Sequence, residues 1–466
     1  MPHRRRLVFE LAADLVGALV LAVALFAMAV RIALPHADQW RGHVERWAAQ
    51  ALGQPLTVDS AEAYWRGIDP TLRLRGIRVR DAAGRAQLTL EEVHLEVDLL
   101  ASLLGDGPVF SRLHADGLDL ALELGPHGLA LGGIDAPGGA PALQRGALVS
   151  YWLLSQPELD VTSVRVQWPG AGEDAAPHAA ELALHARNDG VRHRLQLRLT
   201  QVDGRGLLEF GADFAGDALR PETWRGGLHA RAAGVPWTAL DALLPGAAER
   251  AAVLPAELHA ALPRRVDLEA WGTLDAGLPQ VVGELLLHRA GDPQGFLTRV
   301  GARFDWQRGA RGWRLDLGNL QLQDSSLPLP LWLGEAAVEQ SGDAADWQLR
   351  AGLAALPLQP LRELLLASPG LPVALRELLA GTHPEGQLFD LRLRWRPAAA
   401  DPDERWRASG RAEALAAVPW GRWPGVDALA GRFDLGPAGG RVELDSRAAT
   451  VSFPRLFREP LALARL

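Results

Sequence analysis

The sequence predicts a mainly β fold that follows one N-terminal transmembrane helix. Apolar and polar residues alternate with a period of two over most of the chain after residue 55, as in strands with one apolar face. Glycine and proline contribute 49 and 32 of the 466 residues, and they mark frequent turns. Stretches with helical periodicity are few and short in this part. We therefore expect an antiparallel sheet of meander topology with a few short helices.

The first 32 residues predict a membrane anchor. An apolar segment runs from Leu11 to Ile32, and its uncharged part covers Leu15 to Val30. Its 22 residues would form a helix of about 33 Å, enough to cross a hydrocarbon core of about 30 Å. Residues 1–10 are expected in the cytoplasm because three arginines precede the segment: Arg4, Arg5 and Arg6. The alternative is a cleaved secretory signal with Ala27–Ala29 at the cleavage site, and both interpretations export the rest of the chain.

Residues 33–54 predict an amphipathic helix beside the anchor. Apolar residues from Trp40 to Leu52 fall on one helical face, and Gly53 and Pro55 end the helix. The side chains of Trp40 and Trp47 suit a membrane–water interface. The alternative is that this helix caps the end of the following sheet.

The strands of the first part of the sheet share one predicted apolar face. Its members are Leu72, Leu74, Ile77, Val79, Leu88, Leu90, Val93, Leu95, Val97, Leu118, Leu120 and Leu122. The parity of the alternation changes at Gly76, at Glu91-Glu92 and at Asp116-Gly117. A β-bulge at each change would keep the face apolar. Asp81–Gly84 and Asp189-Gly190 predict hairpin turns, the second with positive φ at both central residues.

Other local patterns complete the predicted organisation. Four helical interruptions are expected, at Leu99–Leu104, Leu143–Ser155, Thr238–Leu244 and Leu361–Leu379, the last with a break at Pro369–Pro372. Residues Gly125–Pro141 form the Gly/Pro-rich linker candidate. Three segments combine a strand that starts at a tryptophan with a proline that stops it: Trp224–Pro236, Trp347–Pro357 and Trp406–Pro419.

The composition argues against several function classes. With 56 acidic and 48 basic residues, the net charge is −8 and the signs are interspersed, which disfavours nucleic acid as a partner. The chain has no cysteine, and its lack of lysine leaves no phosphate-binding loop. His185 and His193 flank the Asp189-Gly190 turn, and we interpret them as a solvated pair rather than a metal site. We expect no enzyme activity, no cofactor and no metal.

Several sequence blocks occur in a specific order. The first group consists of Arg31–His36, Trp40-Arg41, Ala51–Pro55, Tyr64–Gly67, Pro70–Leu72 and Gly76–Val79, and the second block is Val266–Asp275. In this order they resemble the YhdP proteins, which are AsmA-like proteins of the Gram-negative envelope. The resemblance runs from the anchor to at least residue 290 and less distinctly to the end.

The resemblance implies a single-pass inner-membrane protein with its bulk in the periplasm. Residues 55–466 would form an elongated, curled sheet whose apolar groove conducts phospholipid towards the outer membrane. Phospholipids and the inner membrane are the implied partners, and proteins of either membrane are candidates at the groove ends. Since members of this family are much longer than 466 residues, we expect the chain to be part of a longer protein.

Burial energetics are compatible with such a groove. Each buried CH₂ contributes about 0.8 kcal/mol, so a uniform apolar groove holds acyl chains strongly and still lets them slide. Alternation alone leaves a second architecture open, in which tethered β-sandwich domains bury the same residues in closed cores. A third hypothesis is an envelope scaffold or assembly factor that binds proteins by strand addition at an open sheet edge.

Overall fold

The computed structural model describes part of the 466-residue chain. The described residues are 28, 41–42, 45–46, 49, 55–66, 69–80, 86–104, 109–125, 128–131, 153–168, 178–201, 206–218, 220–236, 265–289, 297–309, 312–325, 327, 329–341, 347–368, 371–421, 423–453 and 455–463. The fold of this part is mainly β, as predicted, with few helices. The chain divides into two compact units, of which unit 1 extends to Leu199 and unit 2 begins at Thr200, apart from two short segments, Pro126–Gly128 and Gly170–Ala175, that belong to unit 2.

Unit 1 is built from one set of adjacent strands. They are β1 Leu56–Thr57, β2 Ser60–Arg66, β3 Asp69–Arg80, β4 Ala86–Asp98, β5 Val109–Gly125, β6 Gly128–Leu131, β7 Glu158–Trp168, β8 His178–Asn188 and β9 Arg192–Gln201, with helix α1 at Leu99–Leu104. Strands β1 and β2 both pair with β3, and β3, β4 and β5 follow one another in antiparallel order. β5 then pairs in parallel with β7, which pairs antiparallel with β8. The parallel pair is a departure from the predicted meander.

Unit 2 continues with a run of antiparallel strands. They are β10 Leu207–Ala215, β11 Arg225–Pro236, β12 Arg265–Asp275, β13 Leu278–His288, β14 Arg299–Gly309, β15 Gly312–Gln323, β16 Leu331–Trp332, β17 Glu335–Ser341, β18 Trp347–Pro357, β19 Glu385–Trp395, β20 Trp406–Ala417, β21 Gly425–Gly436, β22 Gly439–Leu444, β23 Ala449–Ser452 and β24 Leu461–Leu463. β10 to β15 pair in chain order. β15 pairs with β16 and β17, and β17 to β21 again pair in chain order. β21 pairs with β22 and β23, and β23 with β24.

The helices agree with their sequence patterns where the structure describes them. α1 has the predicted bounds, and the predicted pair appears as α2 Leu358–Ala367 and α3 Val373–Thr382. Residues 153–155 are helical, at the end of the second predicted helix, Leu143–Ser155, whereas the third, Thr238–Leu244, lies outside the described residues. The three segments with a leading tryptophan supply β11, β18 and β20. Part of the linker candidate forms β6 instead.

The predicted changes of parity occur, but not as β-bulges. The pairing of β3 with β4 keeps one register on both sides of Gly76 and Glu91, and the pairing of β4 with β5 does so around Glu91 and Gly117. Gly76 and Gly117 have φ of +63° and +69°, and Ser163 at the corresponding position of β7 has φ of +53°. We call the four residues aligned at this level, Gly76, Glu91, Gly117 and Ser163, the seam. The neighbouring strands all change the parity of their alternation at the seam, so their registers stay matched without an extra residue in any strand. The prediction of β-bulges at these positions was wrong.

The Asp189-Gly190 pair forms a turn with a different geometry from the one predicted. Gly190 has φ of +88°, but Asp189, which was also expected to have a positive φ, does not. Asp189 instead precedes the central pair, and its Oδ1 accepts hydrogen bonds from the backbone N–H of Val191 and Arg192 at 3.1 and 2.7 Å. These backbone hydrogen bonds lower the pKa of Asp189. The other predicted turn, Asp81–Gly84, lies outside the described residues.

Most of the predicted anchor lies outside the described residues, as do Arg4, Arg5, Arg6, Trp40 and Trp47. Within the part of the chain that the structure describes, no helix combines the length and apolar character that crossing a bilayer requires. Five residues of the 33–54 segment are described as helical, and two of them contact the start of the sheet. Glu45 Oε1 accepts from the backbone N–H of Val58 at 2.9 Å, and Arg41 donates to the carbonyl of Asp59 at 2.9 Å.

Candidate functional site

Unit 1 brings the predicted apolar residues together on one face. Four cross-strand rows connect β3, β4 and β5, and these rows are Leu72–Leu95–Leu113, Leu74–Val93–Ala115, Ile77–Leu90–Leu118 and Val79–Leu88–Leu120. Leu74, Ile77 and Val93 are buried in one cluster with Val58 and Ala61, and Leu72, Leu90 and Leu95 pack against it. Val97 lies one row further, opposite Phe110, and Leu122 lies in β5. A lipid-lining role for these residues stays a prediction.

The apolar rows of unit 1 continue onto strands that the sequence analysis did not include. Leu113 is followed by Leu159 and Ala186, Ala115 by Val161 and Leu184, and Leu120 by Val166 and Ala180. Leu159 and Ala180 are almost fully buried. The signal that could have identified these residues is the same period-two alternation, but the parallel pairing that places β7 beside β5 has no local sequence signal.

The opposite face of unit 1 is charged and paired across strands. Arg73 makes a two-fold contact with Glu92, with both N–O distances at 2.9 Å, and Arg75 Nε lies 3.0 Å from Glu92 Oε2. His94 also hydrogen-bonds Glu92, and the Tyr64 hydroxyl lies 3.0 Å from His94 Nδ1. Hydrogen bonds from His94 and then Arg73 lower the pKa of Glu92 to about 2. This face therefore carries fixed charge beside the apolar rows.

A second charged group lies on the neighbouring strands of this face. Asp160 lies between His114 and His185, at 3.4 and 3.9 Å. Glu158 contacts Arg112 at 2.9 Å and Arg187 at 3.4 Å. Burial alone would raise the pKa of Glu158, but the hydrogen bonds and charges of these two arginines lower it. No three of the described histidine and carboxylate residues form an arrangement that could hold a metal ion.

The interpretation of His185 and His193 as a solvated pair was wrong. His193 is buried, with 1% of its surface exposed, and its Nδ1 lies 2.9 Å from Oδ1 of Asn188. The Asn188 amide also donates to the carbonyls of Leu153 and Gln156, at 3.0 and 2.6 Å. His185 is on β8 and contacts Asp160 instead. The buried pair fixes the chain before β7 onto the turn between β8 and β9.

Unit 2 carries an apolar face that extends over eleven strands. Its central row consists of directly paired residues, one per strand, and we call it the long row: Phe210, Ala230, Ala270, Gly283, Phe304, Leu317, Ala336, Ala351, Leu393, Ala408 and Leu435. A parallel row contains Ala212, Leu228, Gly272, Val281, Trp306, Leu315, Val338, Leu349, Trp395 and Trp406. At about 4.8 Å per strand, the long row is about 48 Å in length.

The two ends of these strands differ in how the apolar face is covered. At one end, α2 places Leu361 and Leu364 in a cluster with Leu356 and Leu388. At the other end, Trp395 and Trp406 are 43% and 37% exposed. The rings of Trp347 and Trp395 meet edge to face with centroids 5.1 Å apart. The apolar face is thus closed by a helix at one end and open, with tryptophans at its border, at the other.

Exposed large apolar side chains on this face are its most informative feature. Besides the two tryptophans they include Phe210, Leu435, Val442 and Leu444. Small residues lie between groups of large ones along the long row, which leaves space between the larger side chains. Several exposed large apolar side chains on one face are typical of a surface that has an apolar partner.

The amino-acid sequence matches a known protein family over its whole length. The sequence model of the family described as "YhdP protein" matches residues 1–466. The chain belongs to the YhdP family. It is 24% identical to the intermembrane phospholipid transporter YhdP of Escherichia coli (strain K12) over 480 residues, an alignment that covers 96% of this chain and 34% of the relative. The chain therefore spans about a third of the length of the curated relative it matches, and no solved structure matches it.

Family membership supports the resemblance that was drawn from the N-terminal blocks and the block Val266–Asp275. Tyr64 and Trp65 of the N-terminal blocks lie in β2, and the second block forms most of β12. In β12, Ala270 and Gly272 belong to the apolar rows, while Trp271 lies on the opposite face. The matching blocks of this YhdP-family chain therefore include strands that build its apolar faces.

Proposed function

We propose that this YhdP-family chain binds phospholipid acyl chains on the apolar faces of its two units and passes them along the strand rows. Its relative in Escherichia coli is named an intermembrane phospholipid transporter. The observation that carries the proposal is the long row, which presents apolar residues on eleven consecutive paired strands and ends in exposed side chains such as Leu435. The direction towards the outer membrane and the single-pass anchor in the inner membrane are part of the proposal.

Energetics explain how one surface both holds and releases a lipid. Each CH₂ moved from water to the apolar face contributes about 0.8 kcal/mol, so a whole acyl chain is bound firmly. Neighbouring positions along the long row offer similar apolar contacts, so a lipid that moves from one strand to the next changes its free energy little. No covalent step is required, and the proposed function needs neither a catalytic residue nor a cofactor.

The arrangement of strands favours lipid binding over the sandwich alternative. A β-sandwich buries its apolar residues between two sheets packed about 10 Å apart. In unit 2, the described strands β10 to β24 are connected through direct pairing into one sheet, and Trp395 and Trp406 remain partly exposed on the apolar face. A scaffold that binds proteins by strand addition would not need this exposed apolar surface, since backbone hydrogen bonds supply its affinity.

Native mass spectrometry with lipid extraction tests the proposal. The full chain is expressed in a Gram-negative host and purified in mild detergent, and several phospholipids are expected per chain. Leu435→Arg places a charge on the apolar face and is expected to reduce the number of bound lipids. Val282→Arg is the matched control, because Val282 is 43% exposed but lies on the opposite face. A folded, lipid-free wild-type chain would contradict the proposal and favour the scaffold.

A further inference from the structure

The charged face of unit 2 contains a pocket that the lipid proposal does not use. Its volume is about 770 Å³, and it lies on the polar side of strands β14 to β20. Small residues form its floor. At Gly318 and Gly352 no atom lies within 4 Å of the position that a Cβ would occupy, and Ala337 and Ser409 are two further small residues on the polar side of these strands. The absence of larger side chains at these four positions is what makes room for a ligand.

Three arginines lie in register along one wall of this pocket. Arg394 on β19 is directly opposite Arg350 on β18 and Arg407 on β20. Like charges in directly paired positions destabilise a sheet unless an anion compensates them. Arg350 has Glu339 at 3.6 Å, and Arg407 Nε donates to Asp434 at 2.8 Å. Arg394 has no such partner among the described residues.

Arg392 adds a second cation without a carboxylate partner among the described residues. It lies two residues before Arg394 on β19, on the same exposed face, opposite Gly352 on one side and Ser409 on the other. The register shifts between Phe389 and Arg392, so Arg392 directly follows an irregularity of the strand. Such irregularities change the direction of side chains. Here the irregularity lies beside Gly352 and Ser409 of the pocket floor.

We propose that this pocket binds a phosphate ester through the guanidinium groups of Arg392 and Arg394. Two planar guanidinium groups match the several acceptor oxygens of a phosphate, and an anion there would relieve the repulsion along the arginine row. Three carboxylates that also line the pocket, Asp305, Asp316 and Glu335, limit the negative charge that it accepts, and Glu335 pairs with Gly352 of the floor. We therefore expect a single phosphate group rather than a polyanion. The site lies on the face opposite the long row and does not depend on lipid transport.

Calorimetry on the full chain in non-ionic detergent tests the site with two probes, glycerol phosphate and dihexanoyl phosphatidylglycerol. Binding of both probes with equal dependence on the two arginines would assign a soluble phosphate ester as the ligand. Arginine-dependent binding of the lipid probe alone would assign a lipid headgroup. In either case the double variant Arg392→Gln/Arg394→Gln is expected to weaken binding at least about ten-fold, as expected for the loss of two charge-assisted contacts.

Three single variants separate the site from a general charge effect. Gly352→Leu fills the floor without removing a charge and should also abolish binding. Glu335→Gln removes one of the opposing negative charges and should tighten binding. Arg225→Gln removes an arginine that is paired with Asp275 outside the pocket and should have no effect. Circular dichroism and thermal unfolding check that each variant folds.

Two results would overturn the inference. One is that neither probe binds to the wild-type chain. The other is that the double variant and Gly352→Leu, both folded, bind as the wild type does. Leu435→Arg on the apolar face should still reduce lipid loading when it is combined with these variants, so failure of the phosphate site and failure of the lipid proposal are distinguishable.

Discussion

The side chain of Glu91 lies directly over Gly117 on the neighbouring strand. A Cβ on Gly117 would be 2.5 Å from Cγ and 2.6 Å from Cβ of Glu91, closer than such atoms can approach. Gly117 also has φ of +69°, a backbone conformation that glycine adopts at little cost. At the seam, the Glu91 side chain thus occupies the space that a side chain at position 117 would need.

Replacement of Gly117 by alanine is expected to destabilise the chain. The left-handed backbone and the contact with Glu91 together should lower the free energy of unfolding by about 1–3 kcal/mol. Urea unfolding monitored by circular dichroism measures the change. Gly352→Ala is the matched control, since no atom lies within 4 Å of its Cβ position and its φ is not left-handed. Equal stability of both variants would contradict the role of the seam.

Replacement of Asn188 by alanine should have a similarly large effect. It removes one hydrogen-bond partner of buried His193 and the two hydrogen bonds to the carbonyls of Leu153 and Gln156. Since each lost hydrogen bond costs about 1 kcal/mol, the loss of these three should lower the free energy of unfolding by about 3 kcal/mol. Gln196→Ala, on an exposed residue of the neighbouring strand, serves as the control. A change no larger than that of the control would show that the buried pair is not a structural link.

Stability should depend on pH through Glu92. Its pKa falls from an ordinary 4.5 to about 2 in the folded chain, because His94 and Arg73 hydrogen-bond its charged form. A lowered carboxylate pKa contributes stability that is fully present above about pH 4.5 and is lost as the pH falls towards 2. Glu92→Gln should therefore lower the free energy of unfolding at pH 6. It should also reduce the loss of stability that the wild-type chain shows as the pH falls below 4.5. The exposed Glu222→Gln is the control, and an unchanged pH profile in Glu92→Gln would rule out this contribution.

Replacement of Leu95 by arginine tests the apolar face of unit 1. Leu95 is half-buried against the cluster around Val93, so a guanidinium group there should repel acyl chains while the sheet remains folded. The expected result is reduced lipid loading in native mass spectrometry with a native circular dichroism spectrum. Thr89→Arg, on the opposite face of the same strand, should keep its lipid. Full loading in a folded Leu95→Arg chain would contradict the lining assignment.

Much of the local structure of this chain follows from its sequence. α1 has the predicted bounds because a short apolar run interrupts the alternation, and proline separates α2 from α3 as expected. The grouping of Leu72 to Leu95 on one face also follows, because the alternation persists through the parity changes. These properties depend on residues close together in the sequence, so the local pattern of apolar, polar and proline residues predicts them.

The features that were missed depend on register between distant strands. The seam aligns Gly76, Gly117 and Ser163, which no local pattern connects. The long row uses alanine and glycine at positions such as Ala351 and Gly283, whose weak hydropathy hides them within an apolar face. The row of Arg350, Arg394 and Arg407 is likewise formed only when three strands pair, and the burial of His193 depends on Asn188 across the turn.

Photo-crosslinking in living cells tests the central claim most directly. The photoreactive residue benzoylphenylalanine replaces either Trp406, which is 37% exposed on the apolar face, or Trp271, which is 51% exposed on the opposite face. Both positions accommodate a large aromatic side chain, so the two chains differ in the face that carries the probe. Lipid binding on the apolar face predicts phospholipid adducts at position 406 and none at position 271. Adducts of equal yield at both positions, or none at position 406, would contradict it.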